Sequence, residues 1–578
     1  MNPNHRMHST LGISGFRLTR FVVLALLALV MAPLHANAAA GPGQFAVASA
    51  HELATDAGME IMAAGGNAFD AAVAVSAALA VVEPASSGIG GGGFWLLHRV
   101  EDDMQIMVDG RETAPAAAHR DMYLDEHGEV NRDLAINGAL AAGIPGAPAA
   151  WVHLIEHYGR LSLAEVLAPA IRLAEEGFLV DDKYQTLLGM RETVMNRWPE
   201  TAAIFMPGGA LPEIGERIVQ RDLGQTLRAV AERGFDGFYR GPVAEQLVAG
   251  VQAEGGIWTL DDLAGYQVVE REPIRVRFGE HELITASPPS SGGIAIAQIL
   301  NIIQPFDWMG MPRVERMHLL AEAMRRAYRD RALYLGDPDF VDIPTEMLLD
   351  PWYAAGLRSN LRLDRATSSA SLADDPDILP EGDNTTHFSL MDADGNIVSG
   401  TLTINLAYGA AYVPPGTGVL LNNEMDDFSA KPGEPNAFGL VGFEANAIAP
   451  NKRMLSSMSP TIVQSPERTA VIGTPGGSRI ITMVLLGILD YVEGHGPESW
   501  VSLPRFHHQY LPDLISVEPD MLSDEEIAAL EALGHTVEVR DRSWGFMTGV
   551  MWDRAAGAVE AAADPRWAIG KGAVAPQH

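Results

Sequence analysis

Residues 385–405 read as a β-hairpin, and this hairpin constrains the fold more than any other stretch of the chain. THFSLM is rich in β-formers, DADGN is a strong turn signal, and NIVSGTLTIN resumes the strand pattern. Because side chains alternate between the two faces of a strand, we predict Thr401, Thr403 and Asn405 on one face, with Thr403 beside Thr385. A threonine-rich face is also ordinary cross-strand pairing, so the hairpin alone assigns no chemistry.

Composition excludes several classes of function. Hydrophobic residues make up 47% of the 578 residues, and the mean hydropathy is +0.05, which indicates a globular protein with an extensive core. The formal net charge is -34, from 40 basic and 74 acidic residues, so a nucleic-acid partner is excluded because its phosphates would be repelled. The chain has no cysteine. Disulfide bonds, cysteine nucleophiles and thiolate metal sites are therefore excluded as well.

Residues 1–40 have the pattern of a cleavable signal peptide. Arg17 and Arg20 precede the apolar run FVVLALLALVMA, and small residues follow at Ala36 and Ala38. The run is short for a bilayer span, although an uncleaved membrane anchor is the alternative. We therefore expect a periplasmic or secreted protein with no stable membrane span after signal cleavage.

Helical patterns dominate before Thr385 and strand patterns after it. Two closely spaced helices follow the leader, the second capped by Asn67 and Asp70, and residues 313–336 form the clearest long amphipathic helix. Strand patterns occupy residues 385–425 and 460–482, and residues 547–565 form a hairpin that turns near Gly557. Residues 366–384 are polar and acidic and are predicted to form a loop. A cut after residue 384 would thus lie at the end of the most loop-like stretch.

Three constellations have ordinary structural interpretations. SSGIGGGGF has dinucleotide-binding spacing, but a helix precedes the glycines and a strand follows, so close backbone packing is favoured. Adjacent His507 and His508 would face opposite sides of a strand, which suits a metal poorly. The carboxylates of LNNEMDDFS fit a solvated turn, a cation or an ammonium partner. We expect no cofactor and no metal.

The dipeptide Asn384-Thr385 permits a specific chemistry. A threonine hydroxyl needs a base within hydrogen-bond reach, and a cut just before Thr385 would supply that base as the new α-amine. The dipeptide taken alone is an ordinary strand start. The case for catalysis must therefore come from the rest of the chain.

Seven ordered motifs carry a resemblance to one family: VDGRETAP, PPSSGG, DNTTHFSLMDADGN, TLTIN, LNNEMDDFSAKPG, PNKRMLSSMSPTIV and GTPGGSRII. Together they resemble the γ-glutamyltransferase (γ-glutamyltranspeptidase, glutathione hydrolase) family of N-terminal-nucleophile hydrolases. The resemblance implies an α+β fold, the four-layer αββα sandwich. It also implies a precursor that cleaves itself between Asn384 and Thr385, so that a large subunit of 41–384 and a small catalytic subunit of 385–578 form one intertwined heterodimer.

The resemblance also implies roles for individual residues. A γ-glutamyl group carries both an α-carboxylate and an α-ammonium, so its pocket needs a cationic fork with hydroxyl donors and a set of acceptors. By motif, the resemblance implies that Thr385 is the nucleophile and that Thr403 orients it. The oxyanion would be bound by Gly476 and Gly477. The α-carboxylate would be bound by Arg111, Ser456 and Ser457, and the α-ammonium by Asn405, Glu424 and Asp427.

Two departures from the family pattern bear on specificity. Glu424 stands where many bacterial relatives carry Gln; a second carboxylate beside Asp427 should strengthen ammonium binding, but repulsion between the two should raise a pKa. Phe438 stands where a tyrosine commonly closes the lid segment 429–442, so we expect looser gating and more hydrolysis relative to transfer.

The implied function is transfer of γ-glutamyl groups from glutathione and similar compounds to water, an amino acid or a peptide. The alternative within the fold is a cephalosporin or glutaryl acylase, which would leave Asn405, Glu424 and Asp427 unpaired. Transfer from poly-γ-glutamate shares the pocket, but the lid argues against a polymer. A self-cleaved, catalytically silent binding protein of the cell envelope is the alternative from another class.

Overall fold

The structure, a computed structural model, describes residues 41–372 and 384–577. The strands in this part of the chain are β1 (Gln44–Ser49), β2 (Gly92–Arg99), β3 (Met104–Gly110), β4 (Phe178–Leu179), β5 (Arg217–Ile218), β6 (Val269–Arg271), β7 (Ile274–Phe278), β8 (His281–Thr285), β9 (Thr386–Met391), β10 (Ile397–Thr403), β11 (Thr461–Gln464), β12 (Arg468–Gly473), β13 (Phe506–His507), β14 (Ile515–Val517), β15 (Val537–Val539), β16 (Thr548–Asp553), β17 (Ala558–Ala563) and β18 (Lys571–Pro576).

The α-helices of the described residues are α1 (Glu52–Ala63), α2 (Ala68–Val82), α3 (Arg132–Ile136), α4 (Ala147–Tyr158), α5 (Leu163–Glu176), α6 (Asp182–Met195), α7 (Pro199–Phe205), α8 (Arg221–Arg233), α9 (Phe235–Tyr239), α10 (Pro242–Ala253), α11 (Leu260–Ala264), α12 (Gly292–Ile303), α13 (Arg313–Tyr334), α14 (Thr345–Leu349), α15 (Pro351–Arg358), α16 (Ile480–Val492), α17 (Pro497–Ser502) and α18 (Asp524–Ala532). None of these helices combines the length and the apolar surface that a bilayer crossing requires.

Two stacked antiparallel sheets form the centre of the molecule. The strand order is β18-β1-β9-β10-β2-β3-β6 in the first sheet and β17-β16-β12-β11-β8-β7 in the second. Alternation along β1 explains the stacking, because Phe45 and Val47 join the core under α1 and α2, whereas Ala46 and Ala48 join the core between the sheets. Helices α12 and α16 cover the outer face of the second sheet. The chain therefore has the four-layer αββα fold of the α+β class, as the sequence predicts.

Strands from both sides of the 384–385 bond interleave within each sheet. In the first sheet β9 lies between β1 and β10, and in the second β11 lies beside β8. Helices predominate before Thr385 and strands after it, as predicted, but strands that precede Thr385 also take part in both sheets. The predicted strand pattern of 460–482 is wrong at its end, because Ile480 begins α16. IITMVLLGILDYV is apolar throughout, so periodicity alone could not separate a strand from a buried helix there.

The predicted hairpin is confirmed and places two threonines side by side. Antiparallel pairing of β9 with β10 matches Thr386 with Leu402, so Thr403 extends the ladder next to Thr385. Asn405 lies beyond the end of β10 with a φ of 74°, so it does not share the strand face predicted for it. The left-handed conformation turns the chain there, which a pattern of alternation cannot reveal.

The glycine-rich stretch at the start of β2 brings two backbones together, as predicted. A Cβ at Gly91 would lie 2.1 Å from the carbonyl oxygen of Thr403, and one at Gly93 would lie 2.5 Å from that of Thr401. Such contacts are too short for any side chain. These glycines therefore allow β2 to pack against the strand that carries Thr403.

Helix α13 ends at Tyr334, before the predicted residue 336, and is more deeply buried than an amphipathic helix would be. Its charged residues are paired inside the protein, where Glu322 accepts hydrogen bonds from Arg326 Nη1 and Thr367 Oγ1. The predicted loop 366–384 is thus partly packed, since Thr367 is tied to this helix and Ser369 is buried. Residues 373–383 of that loop, like the predicted signal peptide 1–40, lie outside the described residues.

Candidate active site

Thr385 directly precedes β9 and lies at the bottom of a cleft. It is 4% exposed, and its Oγ1 donates a hydrogen bond to the carbonyl oxygen of Asn384. The hydroxyl therefore already contacts the carbonyl group of the bond predicted to break. Asn384 itself is 9% exposed, and its side-chain Oδ1 has no hydrogen-bond partner among the described residues.

A buried ion pair anchors the chain immediately after Thr385. Thr386 Oγ1 donates to Glu83 Oε2 over 2.6 Å, and Lys183 Nζ donates to the other carboxylate oxygen of Glu83. Lys183 also lies 5.2 Å from the ring centre of Phe546. The sequence analysis missed Glu83 and Lys183; the signal available was a charged residue, Glu83, directly after the largely apolar helix α2.

Nine of the residues predicted for the site line one cleft with an empty volume of about 270 Å³. We call it the first cleft. The residues that it brings together are Thr385, Thr403, Asn405, Arg111, Glu424, Asp427, Ser456, Ser457 and Gly477. Gly476 and Asn384 instead line a neighbouring cleft, the second cleft, which shares Thr385 with the first.

Thr403 and Asn405 are held by local backbone bonds at the end of β10. Thr403 Oγ1 accepts a hydrogen bond of 2.7 Å from the backbone N–H of Asn405, whose side-chain Nδ2 donates to the carbonyl of Asn423 over 2.8 Å. Asn405 Oδ1 is buried and has no partner among the described residues. An unpaired buried acceptor is costly, so a donor such as an ammonium group would be stabilised there.

Arg111 is surrounded by carboxylates in the first cleft. Its Nη1 donates to Glu424 Oε1, and its Nη2 donates to Asp427 Oδ2 over 2.5 Å. Glu112 Oε2 lies 3.6 Å from Nη1, and both of its carboxylate oxygens lack a hydrogen-bond partner among the described residues. The residue predicted to bind an α-carboxylate is therefore paired, in this structure, with two residues predicted to bind an α-ammonium.

This concentration of negative charge shifts the ionisation of the cluster. Burial raises the pKa of Glu424 well above its ordinary value, Glu112 and Asp427 add to the rise, and Arg111 opposes it. Burial likewise raises the pKa of Glu112 to about 7 and raises the pKa of Asp427. The repulsion expected between Glu424 and Asp427 is thus present, but burial is the larger cause. The cluster holds a proton more readily than isolated carboxylates would.

Ser456 and Ser457 are positioned by the motif PPSSGG. Ser291 donates to the carbonyl oxygen of Ser456 from its N–H over 2.8 Å and from its Oγ over 2.7 Å. Arg331 of α13 donates to Ser291 Oγ over 3.0 Å and to Ser457 Oγ over 3.3 Å. Arg331 is a second cation beside the first cleft that the sequence analysis missed, because an amphipathic helix pattern does not reveal the distant partner of a charged residue.

Gly476 and Gly477 form the turn that leads into α16. Their φ values are 139° and 55°, so both occupy backbone conformations that side chains disfavour. A Cβ at Gly476 would also lie 2.4 Å from Cε of Met483. Glycine at both positions leaves their amide groups accessible beside Thr385, which is what an oxyanion site needs.

The segment 429–442 packs over the first cleft and contacts its carboxylates. Phe438 lines the cleft, and Asn436 Nδ2 donates to Asp427 Oδ1 over 3.2 Å. Gln509 Nε2 donates to the carbonyl of Gly439 over 3.2 Å, which ties the segment to the body of the protein. Phe438 contributes a ring but no hydroxyl to this closure.

We expect Phe438→Tyr, in the segment 429–442, to change the ratio of transfer to hydrolysis. The added hydroxyl can form one further hydrogen bond across the closed cleft, which is worth about 1 kcal/mol. We expect transfer to rise relative to hydrolysis by up to about fivefold, because a better-closed lid admits less water. The measurement is the ratio of γ-glutamyl-acceptor product to glutamate. Phe443→Tyr, in a residue that does not line the first cleft, is the control, and an unchanged ratio in Phe438→Tyr would contradict the prediction.

Comparison with known proteins places this site in a family. The family model for gamma-glutamyltranspeptidase matches residues 54–574. The chain is 44% identical over 495 residues to the glutathione hydrolase proenzyme of Pseudomonas sp. (strain A14), covering 84% of this chain and 85% of the relative. It is 43% identical over 500 residues to the glutathione hydrolase proenzyme of Escherichia coli (strain K12), covering 86% of each.

A solved structure supports the same assignment at the level of the fold. The crystal structure of cephalosporin acylase from Bacillus halodurans superposes with a TM-score of 0.81 at 29% identity, covering 92% of this chain and 95% of the acylase chain. The family match spans most of the chain, including the motifs that line both clefts. The chain therefore belongs to the gamma-glutamyltranspeptidase family.

Proposed function

We propose that this protein is an exported γ-glutamyltransferase and glutathione hydrolase that matures by cleaving itself between Asn384 and Thr385. One observation carries the proposal: the Thr385 hydroxyl contacts the Asn384 carbonyl and also lines a cleft with a guanidinium, two serines and three acceptor side chains. A nucleophile for self-cleavage thus stands beside groups suited to a γ-glutamyl zwitterion. The names of the relatives support the same activity.

Self-cleavage follows from the contact at the Asn384 carbonyl. Thr385 Oγ1 attacks the carbonyl carbon of Asn384, the C–N bond breaks, and the proton from Oγ1 goes to the departing nitrogen. Water then hydrolyses the resulting ester, which leaves a carboxylate on Asn384 and a free α-amine on Thr385. The products are a large subunit of 41–384 and a small subunit of 385–578, which stay together because their strands interleave.

The freed α-amine then serves as the base for turnover. It takes the proton from Thr385 Oγ1 as the oxygen attacks the γ-carbonyl carbon of the donor, and the N–H groups of Gly476 and Gly477 stabilise the oxyanion. The protonated amine transfers that proton to the leaving nitrogen as the amide C–N bond breaks. Water or an amine acceptor then cleaves the γ-glutamyl-Thr385 ester. Thr403, at the end of the neighbouring strand, orients the nucleophile.

A zwitterionic donor can replace the ion pairs that the first cleft now forms within itself. Arg111 is now paired with Glu424 and Asp427. A γ-glutamyl group would bring its own carboxylate to Arg111, Ser456 and Ser457 and its own ammonium to Glu424, Asp427 and Asn405. Arg111, Glu424 and Asp427 would each then keep a partner of opposite charge. A buried ion without such a partner would cost about 3–5 kcal/mol.

The similarity to a cephalosporin acylase defines the second candidate function. A glutaryl group lacks the ammonium, so it would take Arg111 from its carboxylates and leave the buried Glu424 and the partly exposed Asp427 without that cation. The experiment is to compare γ-glutamyl p-nitroanilide with glutaryl p-nitroanilide at equal concentration. A preference of at least about 100-fold for the γ-glutamyl anilide follows from an unpaired buried charge of about 3 kcal/mol. A preference for glutaryl would favour the acylase, and no turnover of either would favour a silent binding protein.

The raised pKa values predict how donor affinity depends on pH. The ammonium of the donor needs ionised carboxylates, and groups with raised pKa values ionise only as the pH rises through those values. The KM for the donor should therefore fall as the pH rises through about 7, where Glu112 ionises. Glu424→Gln removes one negative charge from the cluster, so the pKa of its neighbouring carboxyl groups should fall and the decrease in KM should move to lower pH.

A matched control separates this effect from a general change of charge. Glu444→Gln removes an exposed carboxylate of the same region, one that pairs with Arg120 outside the cleft. We expect its KM profile to follow that of the original protein. A Glu424→Gln protein with the original pH dependence of KM would show that Glu424 does not share the proton of the cluster.

A further inference from the structure

The C-terminal end of helix α16 brings three potential metal ligands together. Asp490, Glu493 and His495 each offer one ligand atom, and these atoms lie within 4.8 Å of one another. The stretch that contains them, LDYVEGHG, lies outside both clefts. The proposed γ-glutamyl chemistry therefore does not account for this cluster.

A glycine turn at the end of the helix returns His495 to Asp490. The N–H of Gly494 donates to the carbonyl oxygen of Tyr491 over 3.0 Å, and the N–H of His495 donates to that of Asp490 over 3.2 Å. These two bonds, with a φ of 104° at Gly494, define a Schellman motif, which reverses the chain after a helix. The backbone therefore fixes the imidazole of His495 beside the carboxylate of Asp490.

Asp490 is buried and has one oxygen without a partner. The residue is 6% exposed, and its Oδ1 lies 2.7 Å from Nδ1 of His495. Its Oδ2 has no hydrogen-bond partner among the described residues. A buried acceptor without a partner costs free energy, so a cation at this carboxylate would be stabilised.

The other two ligands open the cluster to solvent. The side chain of His495 is 54% exposed and that of Glu493 is 22% exposed, so an ion can reach the site from water. Arg316 Nη1 donates to Glu493 Oε1. A carboxylate has two oxygens with two lone pairs each, so Glu493 can keep this bond and also bind a cation.

The backbone carbonyls at the end of the helix already have a partner. Arg468 donates to the carbonyl oxygen of Tyr491 over 2.8 Å and to that of Gly494 over 3.0 Å. The groups left for an ion are therefore the two carboxylates and the imidazole.

We propose that Asp490, Glu493 and His495 bind a divalent transition-metal ion, for which Zn²⁺ is the best fit. One imidazole nitrogen, two carboxylate oxygens and a water molecule form a tetrahedral ligand set that Zn²⁺ accepts, and the two carboxylates balance its charge. With metal–ligand distances of about 2.0–2.2 Å, the ligand atoms of such a site lie about 3.3 Å apart. Side-chain shifts of roughly 1 Å are therefore enough to close the three ligands around the ion.

The ion replaces the proton that now lies between His495 and Asp490. An ionised carboxylate only accepts, so Nδ1 of His495 carries the proton of this hydrogen bond. In the metal complex the lone pair of Nδ1 binds the ion, and the ring keeps its single proton at the exposed Nε2. A doubly protonated imidazole has no free lone pair, so binding of the metal competes with binding of a proton.

The place of the cluster in the fold assigns a structural role to the ion. Helix α16 has 13 residues, so its C-terminal end is about 20 Å from the Gly476-Gly477 turn that precedes it. The carbonyl oxygen of His495 also accepts a hydrogen bond of 3.1 Å from Trp500 Nε1 of α17. The ion would therefore join the end of α16 to the turn that leads into α17, away from the reacting groups.

The experiment is a calorimetric titration of Zn²⁺ into the original protein after dialysis against a chelator. We expect one equivalent to bind. Loss of a residue that only supports a metal ligand already lowers affinity by about 10–100-fold, so loss of a ligand should lower it by at least about 100-fold in both His495→Gln and Asp490→Asn. Ca²⁺, which takes six to eight oxygen ligands, should not displace Zn²⁺ at equal concentration.

A histidine outside the cluster provides the matched control. His127 is exposed and lies 3.7 Å from a carboxylate oxygen of Glu126, but it belongs to no three-ligand cluster among the described residues. His127→Gln should therefore bind Zn²⁺ as the original protein does. Circular dichroism checks the fold of each variant. Glu493→Gln, at a partly exposed position, should also lower the affinity and tests the site independently of the buried Asp490.

The outcomes separate the metal site from the proposed function. Absence of Zn²⁺ binding by the original protein, or unchanged affinity in His495→Gln and Glu493→Gln, would overturn the site. Turnover of γ-glutamyl p-nitroanilide should stay within about twofold after the chelator has removed the metal, since the ion lies about 20 Å from the oxyanion turn. Loss of turnover on metal removal, with recovery on adding Zn²⁺, would overturn the structural role.

Discussion

Thr385→Ala should yield a single uncut chain with no measurable turnover of γ-glutamyl p-nitroanilide. The substitution removes the oxygen that contacts the Asn384 carbonyl and, with it, the only step that frees the α-amine in the proposed mechanism. Loss of a nucleophile that acts with its base costs at least about 10⁴-fold in rate. We expect denaturing electrophoresis and intact-mass analysis to find two fragments for the original protein, the smaller beginning at Thr385, and one chain for the variant.

The adjacent threonine is the matched control for this prediction. Thr386 has the same side chain, but its hydroxyl donates to Glu83 and not to the scissile carbonyl. Thr386→Ala should therefore still be cleaved at the same bond. Cleavage before residue 385 in Thr385→Ala, or an active protein that remains uncut, would contradict both the maturation and the role of the nucleophile.

Arg111→Gln should abolish donor binding and also destabilise the fold. Arg111 is fully buried and is the cation that contacts Glu112, Glu424 and Asp427. Removing one partner from a buried ion pair costs about 3–5 kcal/mol. We expect kcat/KM for the anilide to fall by about 10³-fold, with most of the loss in KM, and the free energy of unfolding to fall by about 3 kcal/mol.

A double variant separates the loss of binding from the loss of stability. In Arg111→Gln with Glu424→Gln, the carboxylate that loses its cation is neutral, so the free energy of unfolding should recover in part. Activity should not recover, because the guanidinium for the α-carboxylate is still missing. Thermal unfolding and the KM of the donor measure the two effects. Recovery of activity in the double variant would show that Arg111 acts only through the fold.

The local structure around the site was predictable because its signals are short in range. The hairpin of β9 and β10 follows from a turn between two runs of β-formers, and the capping box of Asn67 and Asp70 at the start of α2 is observed as predicted. The family motifs identified the residues that line the first cleft. Each of these features depends on residues within a few positions of one another.

The missed residues of the site have partners far away in the sequence. Thr386 and Glu83 are separated by 303 positions, and Arg331 and Ser457 by 126. No pattern in either segment indicates the other. The amphipathic pattern of α13 did not reveal its buried charges for the same reason, since Thr367, which bonds to Glu322, is 45 positions away.

The sequence by itself determined the family, the local elements and the chemical types brought to the site, because each is encoded by neighbouring residues or by ordered motifs. The tertiary structure alone decided that strands on both sides of the 384–385 bond share each sheet, that Arg111 is paired with the carboxylates of its own cleft, and that a second cleft opens on the other side of Thr385. These features arise from contacts between distant segments, and such contacts exist only once the chain has folded and excluded water from its buried charges.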